Sequence, residues 1–189
     1  MSKAIFLGDD YYTWLGIKNI LYGTVIYSGV KCYPIHSPNS LLSSLNNNDY
    51  LIINPKLGDV LKYAKEIRDL SLRSTFILFV FTDAETFTVF QTVCGLRMHF
   101  LDHSQSLDNL YQRVNQLINS KASPIRPLAN AVTVNEFDVM MMLSRGWSLS
   151  KIANAAHKSE KTIGSYKSNI AKKIGCSNTH LKYIFSCCL

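Results

Sequence analysis

Short apolar runs alternate with stretches of helical periodicity over the first two thirds of the chain. Ala4-Ile5-Phe6-Leu7, Lys31 to Ile35, Tyr50 to Ile53, Thr75 to Phe81 and His99-Phe100-Leu101 read as strands, several of them closed by Gly, Pro or Asp. Between them, Trp14, Leu15, Ile17, Ile20 and Leu21 recur at helical spacing. Ser37-Pro38-Asn39-Ser40 opens a second helix carrying Leu41, Leu42 and Leu45. Leu61 to Leu70 and Ala84 to Cys94 follow, the latter closed by Gly95. Leu107 to Ile118 is the last helix of this series, with Leu107, Leu110, Tyr111, Val114, Leu117 and Ile118 inward. Strands alternating with helices imply right-handed βαβ units around a parallel sheet. Five such units predict a doubly wound α/β domain over residues 1–120. Residues 121–130 read as a linker, since Ser120 to Pro127 holds two prolines and no periodicity.

The last third, residues 131–189, has only helical patterns. Thr133 and Glu136 form a capping box at the start of a helix running from Val134 to Ser144, and Gly146 suits the position just past its end. Ser148 to Ala156 reads as a short helix with Ile152, Ala153 and Ala156 inward. His157-Lys158 leaves room only for a tight turn, after which Ser159 caps a helix from Glu160 to Ile174. Ile163, Ile170 and Ile174 share one stripe of that helix, while Lys161, Ser165, Ser168 and Lys172 share the opposite one. Small hydroxyls let a helix lie close to base edges, and lysines offer charge to phosphates. Two helices joined by such a turn make a helix-turn-helix. Ser177 to Cys188 reads as a final helix with Leu181, Ile184, Phe185 and Cys188 on one face.

Charge sharpens this picture. The net charge is +7, and residues 131–189 hold eight Lys/Arg against three Asp/Glu, leaving +5 there and +2 in residues 1–130. The basic excess lies with the helix-turn-helix pattern, as a nucleic-acid face requires. The longest apolar run, Phe76 to Phe81, is far too short to cross a bilayer, and no secretory leader pattern opens the chain. A cytoplasmic protein without a membrane partner is expected. Five cysteines without a C-x-x-C pair and five scattered histidines offer no metal-ligand spacing. With no nucleophile–base pairing and no glycine-rich phosphate loop, neither an enzyme nor a cofactor is expected.

The C-terminal motifs resemble those of LuxR/FixJ-type (NarL-type) transcription regulators. The resemblance is carried by Val132-Thr133-Val134-Asn135-Glu136, Gly146, Ile152-Ala153, Ser159-Glu160-Lys161-Thr162-Ile163, Lys167, Ile170 and Lys173-Ile174-Gly175. It departs at Asn135, where the family has Arg that forms an intradomain salt bridge, and at Gly164 and Tyr166 in the recognition helix. The resemblance implies duplex-DNA binding as a dimer. It implies that Lys161, Ser165 and Ser168 approach bases, and that Thr162, Tyr166, Lys167, Lys172 and Lys173 approach phosphates. In such proteins the last helix helps to pair two domains, which makes Leu181, Ile184 and Phe185 dimerisation candidates; core packing is the other use open to them.

The N-terminal order of elements resembles a flavodoxin-like response-regulator receiver, with a degenerate site. Asp9 and Asp10 match the acidic pair (or Gly8 and Asp9, by a one-residue shift), Asn54 stands where the phospho-accepting Asp belongs, Thr82 matches the hydroxyl, and His103 (or Asp102, by a shifted alignment) replaces the lysine. An amide is a poor nucleophile and brings no charge to a metal. The expectation is a pseudo-receiver that works without phosphorylation. The resemblance places a dimerisation surface at roughly residues 84–118, for a homodimer or a heterodimer with a related response regulator. The alternative is an auxiliary co-regulator acting mainly by pairing with a phosphorylatable one.

Overall fold

The structure, a computed structural model, describes residues 2–24, 26, 31–34, 45–120 and 122–181. In chain order its elements are β1 (Ala4–Leu7), α1 (Tyr11–Leu21), β2 (Lys31–Tyr33), β3 (Tyr50–Ile53), α2 (Val60–Ser71), β4 (Ile77–Thr82), α3 (Ala84–Cys94), β5 (Leu96–Arg97), β6 (His99–Asp102), α4 (Leu107–Asn119), β7 (Arg126–Pro127), α5 (Val134–Ser144), α6 (Leu149–Ala155) and α7 (Glu160–Ile174). The expected second strand stops at Tyr33, with Pro34 described outside it; Ile35, the expected helix on Leu41 and Leu42, and Ile184 and Phe185 lie outside the described residues.

Five strands form one parallel sheet in the order β2-β1-β3-β4-β6. This is the doubly wound arrangement that the strand–helix alternation predicts. Because side chains alternate along a strand, each strand feeds two cores. Ala4, Phe6, Ile52, Ile77 and Phe79 pack with Ile17 and Leu21 of α1 and Leu110 and Val114 of α4. Ile5, Leu7, Leu51, Ile53, Leu78 and Val80 pack with α2 and α3 on the other side. That second core continues without a break into Phe137, Met140, Ile152, Ile163 and Ile170, so the C-terminal helices sit on the α2–α3 side.

Local signals set the helix limits. Asp10 accepts from the amides of Tyr12 and Thr13, Asp83 from Thr86 and Ser106 from Asn109, each at a helix start. Gly95 ends α3 at φ +75°, and a side chain there would press on the Ala131 methyl at 3.3 Å. Two expectations change on α4. Leu107 and Tyr111 are 69% and 42% exposed rather than inward, because the sheet covers only the arc of Leu110, Val114, Leu117 and Ile118. Leu107 lies in the first turn, and Tyr111 lies at the rim of that arc.

The described part of the segment read as a linker is held at several points. β5 and β7 pair antiparallel, Leu96 with Pro127 and Arg97 with Arg126. The amides of Ile125, Leu128 and Val132 donate to the carbonyls of Phe76, Gly95 and Thr92 at 2.9, 2.9 and 3.1 Å. Arg68 on α2 completes the seam. Its guanidinium donates to the Val93 carbonyl at 3.0 Å and the Val132 carbonyl at 3.2 Å, and it lies 4.5 Å over the Phe137 ring. The first bond satisfies a carbonyl at the end of α3, where the helix supplies no partner of its own. Arg68→Ala is expected to cost about 2–3 kcal/mol, since a charged donor and a ring contact are both lost. In limited proteolysis it should open residues 120–132 to cleavage that the parent resists; an unchanged digestion pattern would show that the seam holds without Arg68.

Candidate nucleic-acid interface

The interface is built on α5, α6 and α7. Each helix begins on a hydroxyl cap: Thr133 accepts from the Glu136 amide, Ser148 from Lys151 and Ser159 from Thr162. The Glu136 carboxylate returns a bond to the Thr133 amide at 2.8 Å, which closes the capping box. Gly146 follows α5 in the left-handed region, and His157 does the same at φ +51° in the turn between α6 and α7. The turn brings α7 across α6, with Ile152 and Ala153 buried beneath it.

The faces of α7 divide as the sequence predicts. Ile163, Ile170, Ala171 and Ile174 are buried. Lys161, Ser165 and Lys172 are exposed along the other side, and Ser168, Lys167, Thr162 and Tyr166 are half-buried at its margins. The Ser165 hydroxyl donates back to the Lys161 carbonyl at 3.0 Å, and the Thr162 hydroxyl meets the Ser159 cap at 2.8 Å. Lys158 lies 6.0 Å from the Tyr166 ring centre. Gly164 opens on space, with nothing within 4 Å of where its side chain would begin. Lys151 lies 4.2 Å over Trp147, a second cation beside the interface that the sequence reading did not single out.

Lys173 departs from its expected place among the phosphate contacts. Its ammonium donates to the Glu136 carboxylate at 2.6 Å and to the Ala131 carbonyl at 2.8 Å, so it braces the end of α7 against the start of α5. Asn135 cannot form the family's ion pair; its neighbour Glu136, only 3% exposed, supplies one instead. Leu181 is likewise corrected. It is fully buried in the C-terminal core and presents no surface for pairing.

The degenerate receiver residues do not all meet. Asn54, Thr82 and His103 line one open cleft of about 340 Å³ together with Lys56, which the sequence reading passed over. The Asn54 amide donates to the Thr13 hydroxyl at 3.1 Å, and the buried Thr82 hydroxyl donates to the Pro55 carbonyl at 2.7 Å. Asp9 and Asp10 stand outside the lining. Asp9 pairs with Lys62 at 3.5 Å, and Asp10 caps α1, where the Thr13 amide and hydroxyl hold its carboxyl below the usual carboxylate range. Among the described residues no group of three or more His, Cys, Asp or Glu is placed to hold a metal ion, and no helix is long and apolar enough to cross a membrane.

With this geometry in view, comparison gives the C-terminal segment its class. Residues 130–183, under a third of the chain, match the family described as bacterial regulatory proteins, luxR family. No curated protein matches the chain in sequence. Similar solved structures include a complex of the two-component response regulator RcsB with DNA, at 17% identity over 100% of both chains and a TM-score of 0.46. RcsB from Salmonella enterica serovar Typhimurium bound to promoter rprA is 17% identical over 100% of both chains, with a TM-score of 0.48. Full-length FixJ from B. japonicum is 20% identical over 97% of this chain and 96% of its own, with a TM-score of 0.41.

Burial works to raise the Glu136 pKa, but the Lys173 ammonium and the Thr133 donors outweigh it and leave the carboxyl below its ordinary 4.5. Its contribution to stability is therefore complete above pH 4.5 and is lost as pH falls through the lowered folded value. Glu136→Gln is expected to destabilise the chain by about 2–3 kcal/mol at neutral pH, because Lys173 is left without its counter-charge. The gap between parent and variant should close in acid. Thermal unfolding of both across pH checks this, and a gap independent of pH would mean that the ion pair is not its source.

Proposed function

We propose that the chain is a DNA-binding transcription regulator that places α7 in the major groove of duplex DNA and acts as a dimer, independently of phosphorylation. The carrying observation is the exposed stripe of Lys161, Ser165 and Lys172 on a buried-backed, doubly capped helix of a segment that matches the luxR family. Lys161 and Lys172 stand three turns apart on that stripe, close to the ends of the helix, where the duplex backbones flank the groove. Between them Ser165 and Ser168 are short enough for the helix axis to come near base edges. Thr162, Tyr166 and Lys167, at the margins, are positioned for phosphates on this reading; Lys173 is not, being held by Glu136. Gly164 leaves the middle of the face without a reading side chain, so base recognition rests on few groups and phosphate contacts carry a large share of the affinity.

Independence from phosphorylation is supported by how the cleft is wired. The acceptor position holds an amide already bonded to Thr13, the hydroxyl that a phosphoryl group would recruit is bonded to Pro55, and the two carboxylates serve Lys62 and a helix cap. None of these groups waits for an acyl phosphate.

Two measurements follow. Lys161→Ala should weaken binding to a selected duplex and reduce the slope of log affinity against log salt by about one counterion. An unchanged slope would remove Lys161 from the phosphate contacts. Incubation of the full chain with acetyl phosphate should produce neither a phosphoryl mass gain nor a change in DNA affinity; an acid-stable or acyl adduct in residues 1–120 that tightens binding would overturn phosphorylation independence while leaving the DNA reading intact.

A further inference from the structure

A cleft of about 850 Å³ separates α2 from α5, within the size range of small-molecule sites. Arg68 bridges it at the seam, to the Val132 carbonyl and the Phe137 ring. Its floor is apolar, with Cys94, Phe137, Val139 and Ile163 all buried. Met141 and Met142 line it half-buried, and thioether side chains repack readily around an irregular guest. Leu72 and Val134 stand at its rim, 84% and 67% exposed although both are aliphatic. Exposed apolar side chains gathered around a cleft mark a binding groove. The cleft also reaches the helix-turn-helix. Ala156 and Lys158 of the turn, with Ile163 and Tyr166 of α7, belong to its lining.

We propose that this cleft takes a small amphiphile with an anionic head, an aliphatic acid in the simplest case, and that its occupancy acts on α7. The coupling to DNA rests on the regulator reading; the site itself does not. Charge selects the head. Of the four cations in the lining, Arg68 is spent on carbonyls, and Lys65 has Asp69 one turn along α2. Arg145, just past α5, and Lys158, in the turn before α7, remain. Both are exposed, and neither joins an ion pair among the described residues. The other carboxylate of the lining, Asp138, precedes Arg145 by two turns, about 10 Å along the axis, and Glu160 does not line the cleft. That pair offers a carboxylate head a guanidinium fork and an ammonium. Length selects the tail. Val134 and Arg145 mark the two ends of α5, about 16 Å apart along its axis, the reach of an extended dodecanoate. A partner helix, roughly 10 Å across, is a poorer fit, because Arg68 already bridges the gap in which it would lie. A guest pressed against Ile163 and Tyr166 interacts differently with each setting of α7, and so changes the affinity for DNA.

The test is isothermal titration of the full chain with monomeric dodecanoate. One equivalent should bind with a dissociation constant on the order of 100 µM. Dodecyltrimethylammonium, which keeps the tail and reverses the head, should bind at least roughly tenfold more weakly. Arg145→Glu should lose at least about tenfold in dodecanoate affinity, and Val134→Asp, at the apolar rim, about threefold or more. Both positions are exposed, so neither variant should change the far-UV dichroism. Saturating dodecanoate should move the parent's affinity for a selected duplex at least about threefold and leave that of Arg145→Glu unmoved. No binding by the parent, equal binding of the two heads, or equal binding by parent and Arg145→Glu would overturn the proposal. Capture by phosphatidylglycerol vesicles without a response to monomeric dodecanoate would also overturn it and assign the cations to a membrane surface. A parent that binds dodecanoate but whose DNA affinity ignores it would overturn the coupling to α7. A parent that binds no DNA would count against the regulator reading and leave the titration standing as the test of the cleft.

Discussion

One guanidinium lies where the two halves of the chain meet, and the arrangement of the α2–α3 side depends on it. Arg68 has donors in a fixed plane and no acceptor, so it can be half-buried only where carbonyls and a ring converge. The end of α3 supplies the Val93 carbonyl, the residue just before the capping box supplies the Val132 carbonyl, and α5 supplies Phe137. Because three segments answer to one cation, none of them can shift without leaving a charged donor unsatisfied. The continuous core beneath it, from Val80 and Phe90 to Phe137 and Ile163, then packs as one body.

Much of the fold was legible because it is written in periods. Buried parallel strands are unbroken apolar runs, and α3 is bracketed by Asp83 and Gly95. The pairing of β5 with β7 was not legible. Two-residue strands have no period, and a segment with two prolines reads as connection rather than pairing. Leu107 and Tyr111 failed for another reason: helical spacing locates the buried arc but not its rim, and the sheet ends before it reaches them.

The same division holds at the interface. The apolar stripe of α7 and the exposed line from Lys161 to Lys172 follow from a turn of 3.6 residues. What Lys173 does was hidden, because its partner lies 37 residues away and a lysine at a helix end already has a local explanation in the macrodipole. The signal was Glu136 itself. A cap residue that is also a carboxylate, beside a position where the resembling family pairs its charges, was a candidate counter-ion. In the receiver-like cleft, residue identities told which chemistry is absent, and only the structure shows the idle groups taken up by a cap, a neighbouring lysine and a strand-end carbonyl.

The strand pair of β5 and β7 also acts as a ruler. Released, the twelve residues from Ser120 to Ala131 would be a leash of roughly 40 Å, longer than one turn of duplex, and two recognition helices on such leashes could settle on operators of several spacings. Clipped to the sheet, the leash has no slack. In a dimer of the kind proposed, the separation of the two α7 helices would then be fixed by the rigid body, and a change of operator spacing by half a helical turn, which sets one half-site on the opposite side of the duplex, would have to be met by twisting the DNA.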